Sequence, residues 1–120
     1  MNLASTKLRK KKRARRGNSD LRVLEQQVRI CKAFANTTRL RMLELLGEEE
    51  RSVADLVKIL AVSKTNLSQH LAILKSVGIV ETRRDGRHIY CILAIPEAKQ
   101  ACTLIREVLR AQFQNRRLAN

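Results

Sequence analysis

The chain has 120 residues, with 25 Lys or Arg against 11 Asp or Glu, a net charge of +14, two Phe, one Tyr and no Trp. That is room for one small domain, and a core of Leu, Ile, Val and Ala this size buries limited area unless two copies pair. No stretch is long and apolar enough to span a membrane, and no apolar run follows the basic N-terminus as in a signal peptide, so a cytoplasmic protein without a membrane partner is expected.

Residues 1–19 read as a disordered basic tail, because residues 7–16 hold eight Lys or Arg and no acid, and Gly17-Asn18-Ser19-Asp20 then reads as a stop. The tail has three readings: an arm adding DNA affinity without sequence preference, a contact to an anionic membrane surface, or a solvated extension. The first is favoured because the domain that follows itself reads as a DNA binder, and Leu3 and Leu8 are too few apolar anchors for a membrane. The rest of the chain still carries 17 basic against 11 acidic residues, which favours a polyanionic partner.

The domain is expected over 20–116, followed by a short tail at 117–120. A first helix is expected from about Leu21 to Ala35, with an apolar stripe of Leu21, Leu24, Val28, Cys31 and Ala35. Asn36 or Thr37 caps a second helix to about Leu46, with Leu40, Leu43 and Leu46 inward and Gly47 as its C-terminal stop. Glu48-Glu49-Glu50 reads as a solvated turn. Ser52 and Asp55 have capping-box spacing and begin a third, short helix to Leu60. After a turn at Ala61-Val62, Ser63 caps a fourth helix that Gly78 ends.

That fourth helix has two unlike faces. Leu67, Leu71 and Leu74 stack toward a core, whereas Thr65, Ser68, Gln69, Ala72 and Lys75 form a flat polar face without bulky groups. Short hydrogen-bonding side chains around an alanine suit a helix lying in a DNA groove. A hairpin follows, 79–83 against 87–93, with Arg84-Asp85-Gly86 between, because Asp-Gly is a strong turn signal. Pro96 opens a last helix with the stripe Ala98, Ala101, Cys102, Ile105, Val108, Leu109 and Phe113. The fold class is mainly α with a β-hairpin wing, a winged helix-turn-helix, and the first and last helices are expected to pair across a two-fold axis as a homodimer.

Three segments resemble the ArsR family of bacterial winged-helix repressors. They are Asn36-Thr37-Thr38-Arg39-Leu40-Arg41-Met42-Leu43, the recognition-helix segment Ser63 to Gly78, and the wing from Val80 to Tyr90. The resemblance implies a dimeric repressor that leaves its operator when an inducer binds. It does not supply the inducer. Metal-sensing members carry two cysteines at the start of the third helix, where this chain has Ser52 and Ala54. Its last helix has Glu97 and Glu107 but no His or Asp, and Glu44 stands near the second-helix position of the thiol-pair sensors. No cofactor is therefore assigned.

For DNA, Thr65, Ser68 and Gln69 are the candidate base readers, and Lys64 and Lys75 the candidate phosphate contacts. Arg84 and Arg87 are preferred over Arg83 at the hairpin tip, where positive charge suits a minor groove or backbone. His70 lies beside the apolar stripe, where packing or a phosphate contact outranks metal ligation. The three cysteines are too few and too scattered for a disulfide framework. Cys31 and Cys102, with Cys91 as a weaker member, are either small core residues or the seat of a redox, thiol-reactive or arsenite-like signal. No nucleophile–base pattern or Gly-rich phosphate loop suggests an enzyme. Two other readings remain open: an architectural DNA-binding protein without an inducer, and a winged-helix protein-interaction module.

Overall fold

The computed structural model describes residues 20–119; the expected basic tail at 1–19 lies outside the described residues. The chain divides between Lys32 and Ala33 into two units. Residues 20–34 form α1, whose stripe residues Leu21, Leu24 and Val28 are each about half exposed to solvent.

The second unit builds the domain from α2 (Thr37–Glu48), β1 (Arg51–Ser52), α3 (Val53–Leu60), α4 (Lys64–Ser76), β2 (Val80–Asp85), β3 (His88–Leu93) and α5 (Glu97–Ala119). Each of the three helices α2 to α4 opens on a side-chain cap. Asn36 accepts from the Arg39 amide at 3.1 Å, Ser52 from Asp55 at 3.1 Å and Ser63 from Asn66 at 3.0 Å. Capping of this kind satisfies amides that the first helical turn leaves without partners. At the other end of α4, Ile79 donates to the Leu74 carbonyl and Gly78 to that of Lys75, with Gly78 at φ +75°. This pair of bonds is a Schellman stop, and the positive φ is why glycine stands there.

Four expectations need correction. Gly47 does not stop α2 but lies inside it, and Glu49 caps the end. A Cβ at residue 47 would come within 3.2 Å of the Lys99 side chain on α5, a tight contact to which that exposed side chain would have to yield. Within α2, Leu40 is exposed and Met42 takes the inward place beside Leu43 and Leu46. The hairpin turn is Gly86-Arg87 rather than Arg84-Asp85-Gly86, since Asp85 still pairs with His88. Gly86 has φ +60° at the first central position, where a type II′ turn requires glycine. Finally, the sheet has three antiparallel strands in the order β1-β3-β2, because Arg51 and Ser52 pair with Cys91 and Tyr90.

Met42, Leu43, Leu56, Leu67, Leu74 and Cys91 are the largest fully buried side chains, so α2, α3, α4 and the sheet share one core. The last helix contributes Ala98 to it, while Ile105, Val108, Leu109 and Phe113 stay about half exposed or more. α5 continues through Ala119, so 117–119 are helical. No helix among the described residues is long and apolar enough to cross a membrane.

Truncating Leu67 to Ala is expected to lower unfolding free energy by about 2–5 kcal/mol through cavity formation. Ser63→Ala should lower it by about 1 kcal/mol through loss of the cap. Urea titration followed by far-ultraviolet circular dichroism checks both.

Candidate nucleic-acid interface

Three residues separate Leu60, the end of α3, from Lys64, the start of α4. Ala61 bridges them in the left-handed region at φ 53°, a conformation an L-residue adopts at a cost of about 1–2 kcal/mol. The abrupt turn sets α4 against α3 and defines which face turns outward. Leu67 and Leu74 are fully buried and Leu71 half-buried, whereas Lys64, Thr65, Ser68, Gln69, Ala72 and Lys75 are all exposed. The structure thus brings the candidate base readers together on one solvent-facing strip of α4.

Lys75 lies at the end of that strip, and its Nζ donates to Thr82 Oγ1 on β2 at 3.2 Å. It is therefore also a tie between α4 and the wing. His70 is a brace to α2: Arg39 Nη1 lies 3.1 Å from His70 Nδ1, and Arg39 Nε donates to the Ala33 carbonyl at 2.6 Å. A guanidinium can only donate, so Nδ1 accepts. Sequence reasoning placed His70 beside the core but had no signal for Arg39, which lies 31 residues away.

The wing sorts its arginines. Arg83 pairs with Glu50 and stacks over Tyr90 at 4.6 Å from the ring centroid. The same guanidinium holds the Glu50 carboxyl below the usual carboxylate range. Arg84 and Arg87 are exposed and make no ion pair among the described residues. Arg84 pairs in register with Ile89, and Thr82 with Cys91, so Arg84 shares the sheet face that continues into the core beside α4.

A cleft of about 350 Å³ opens between the start of α3, Lys64 at the head of α4, and Arg87, His88 and Ile89 at the wing. Sequence reasoning missed His88 and the contribution of α3 here; only the fold brings them beside Lys64. Ser52 and Ala54, where metal-sensing relatives of the resembled family hold cysteines, both border this cleft. Among the described residues, no group of three or more His, Cys, Asp or Glu is placed to hold a metal ion.

The cysteines differ. Cys91 points into the core, fully buried, and burial pushes its thiol up to about 11 despite the nearby Lys75 charge. Cys102 on α5 is half-buried; burial raises its thiol, Arg106 opposes the rise and Glu44 adds to it. Cys31 is exposed. Alkylation of the native protein with iodoacetamide should leave Cys91 unmodified, with label appearing there only when denaturant is added. Peptide mass spectrometry checks this.

A family model described as bacterial regulatory protein, arsR family, matches residues 36–82. The uncharacterized HTH-type transcriptional regulator Rv0081 of Mycobacterium tuberculosis is 36% identical over 86 residues, covering 71% of this chain and 75% of that protein. The transcriptional activator HlyU of Vibrio cholerae is 38% identical over 76 residues, 63% of this chain and 70% of its own. The solved structure of Rv0081 superposes with a TM-score of 0.72 at 33% identity, covering 78% of this chain and 95% of that one. The homodimeric winged helix-turn-helix DNA-binding domain Mb0332 from Mycobacterium bovis does so at 0.71 and 32%, covering 80% and 89%. With its capped α3–turn–α4 pair and its hairpin wing, the chain belongs to the arsR family of bacterial regulatory proteins.

Proposed function

We propose that the protein is a cytoplasmic, homodimeric repressor that reads an inverted-repeat operator through α4 and is released by a thiol-directed signal. The observation that carries DNA reading is the strip of Thr65, Ser68 and Gln69, exposed over the buried Leu67 and Leu74 and flanked by cations. In this reading Thr65, Ser68 and Gln69 meet base edges. Lys64, Lys75, Arg84 and Arg87 meet phosphates, fixing register without reading sequence. The exposed Ile105, Val108, Leu109 and Phe113 support pairing through α5, because a stripe of that width is costly to leave in water. Each half-site lies about one helical turn from its mate, or somewhat more for a winged dimer.

The signal in this reading acts on the thiols of Cys31 and Cys102, as oxidation, a thiol-reactive species or a soft ion of arsenite type. The exposure of Cys31 and the partial exposure of Cys102 support it, although burial raises the Cys102 thiol, and the full burial of Cys91 argues for leaving that residue out. Ser52 and Ala54 supply no thiolate at the head of α3, so no resident metal is proposed there.

Footprinting upstream of the protein's own gene is the direct test, and absence of a protected inverted repeat in that or any other bound DNA overturns operator reading. Gln69→Ala and Ser68→Ala are each expected to lose about 1–3 kcal/mol of preference for operator over scrambled DNA. Arg84→Ala should weaken both duplexes alike and lower the salt slope of binding by about 0.9. Val108→Glu should shift sedimentation toward monomer and weaken operator binding. Cys31→Ser/Cys102→Ser should hold its operator in the presence of oxidant or arsenite that releases the wild type.

A further inference from the structure

The cleft between α3, the head of α4 and the wing gathers cations from two elements beside one cavity, while three other arginines are neutralised by carboxylates. Arg51 pairs with Glu48 and Glu49, Arg83 with Glu50, and Arg106 with Glu44. Lys64 and Arg87 make no such pair among the described residues, yet they come from different elements and line one cavity with the His88 imidazole. No acidic side chain lines it, and Val53, Ala54 and Ile89 form an apolar wall. Its volume of about 350 Å³ is ample for one phosphate group with an attached sugar. Two unneutralised cations converging on a walled cleft suit an oxyanion, and a guanidinium with its planar fork suits phosphate in particular.

We propose that this cleft is a phosphate-binding site in which Lys64 and Arg87 hold the same phosphate, with His88 as a third hydrogen-bonding group. The phosphate comes either from the operator backbone, a source that rests on the DNA-binding reading above, or from a free phosphorylated molecule. Lys64 and Arg87 then cease to be independent contacts.

Two measurements on the full chain test this. In the first, salt slopes of operator binding are compared for wild type, Lys64→Gln, Arg87→Gln and the double variant. A backbone phosphate shared by both residues counts once, so the double variant loses about 0.9 of slope in all, whatever part of it either single variant loses. In the second, inorganic pyrophosphate is titrated at constant ionic strength while backbone amide resonances are followed. Saturable shifts confined to residues 52–57, 64 and 86–89, lost in Arg87→Gln, support the site, and operator DNA suppressing them assigns it to the backbone. The same shifts with non-limiting DNA, and slopes untouched by the variants, assign it to a free phosphate. A slope loss of about 1.8 in the double variant, the share of two separate phosphates, or unchanged slopes without localised pyrophosphate shifts, overturn the proposal. Loss of all DNA binding by the wild type would instead sink the DNA reading and leave the pyrophosphate titration to decide the site.

Discussion

Thirteen residues of α4 have to serve a core and a solvent-facing surface at once, and the burial of Leu67 and Leu74 decides how they are divided. Each side chain fully buried in this way contributes about 1.5–3 kcal/mol, so the helix has one stable rotation about its own axis. With that rotation set, Thr65, Ser68 and Gln69 have no freedom but to face outward. Everything around α4 holds the choice in place: the Ser63 cap and the turn at Ala61 at one end, the Schellman stop at Gly78 at the other, and the Arg39–His70 brace from the side.

The wing depends on the same core through a different geometry. Alternation along β2 and β3 sends Val80, Cys91 and Leu93 to the helix side, and the register carries Arg84 out along that face. Arg83, one residue earlier, lands on the opposite face and is absorbed by Glu50 and Tyr90. One step of the strand thus separates a cation that is spent on the fold from one that is open to a ligand.

Features written in a few adjacent residues were legible in the sequence: the caps at Asn36, Ser52 and Ser63, the stop at Gly78, and the two faces of α4. Features that need a distant partner were not. β1 is two residues long, too short to show alternation, and exists only because β3 passes beside it. Gly47 looked like a stop because glycine commonly ends a helix, yet α2 runs through it to Glu48, and its tight approach to the Lys99 side chain lies 52 residues on. The Asp-Gly pair marked the hairpin, but strand register rather than composition decided that Gly86 and Arg87 form its centre. The inward phase of Cys91 and the cleft joining Lys64 to Arg87 and His88 likewise follow from pairing that no local spacing encodes.

The bond from Lys75 to Thr82 has a mechanical meaning when taken with the stop at Gly78. Only three residues link α4 to β2, and that short link is bridged by a side chain as well as by main-chain hydrogen bonds. Helix and wing have little room to hinge against each other, so one copy presents a stiff reading head of fixed span. In a paired assembly, tolerance to operator spacing then belongs to the joint between copies. Any signal that ends binding has its cheapest route there too, by changing how far apart the two heads are held.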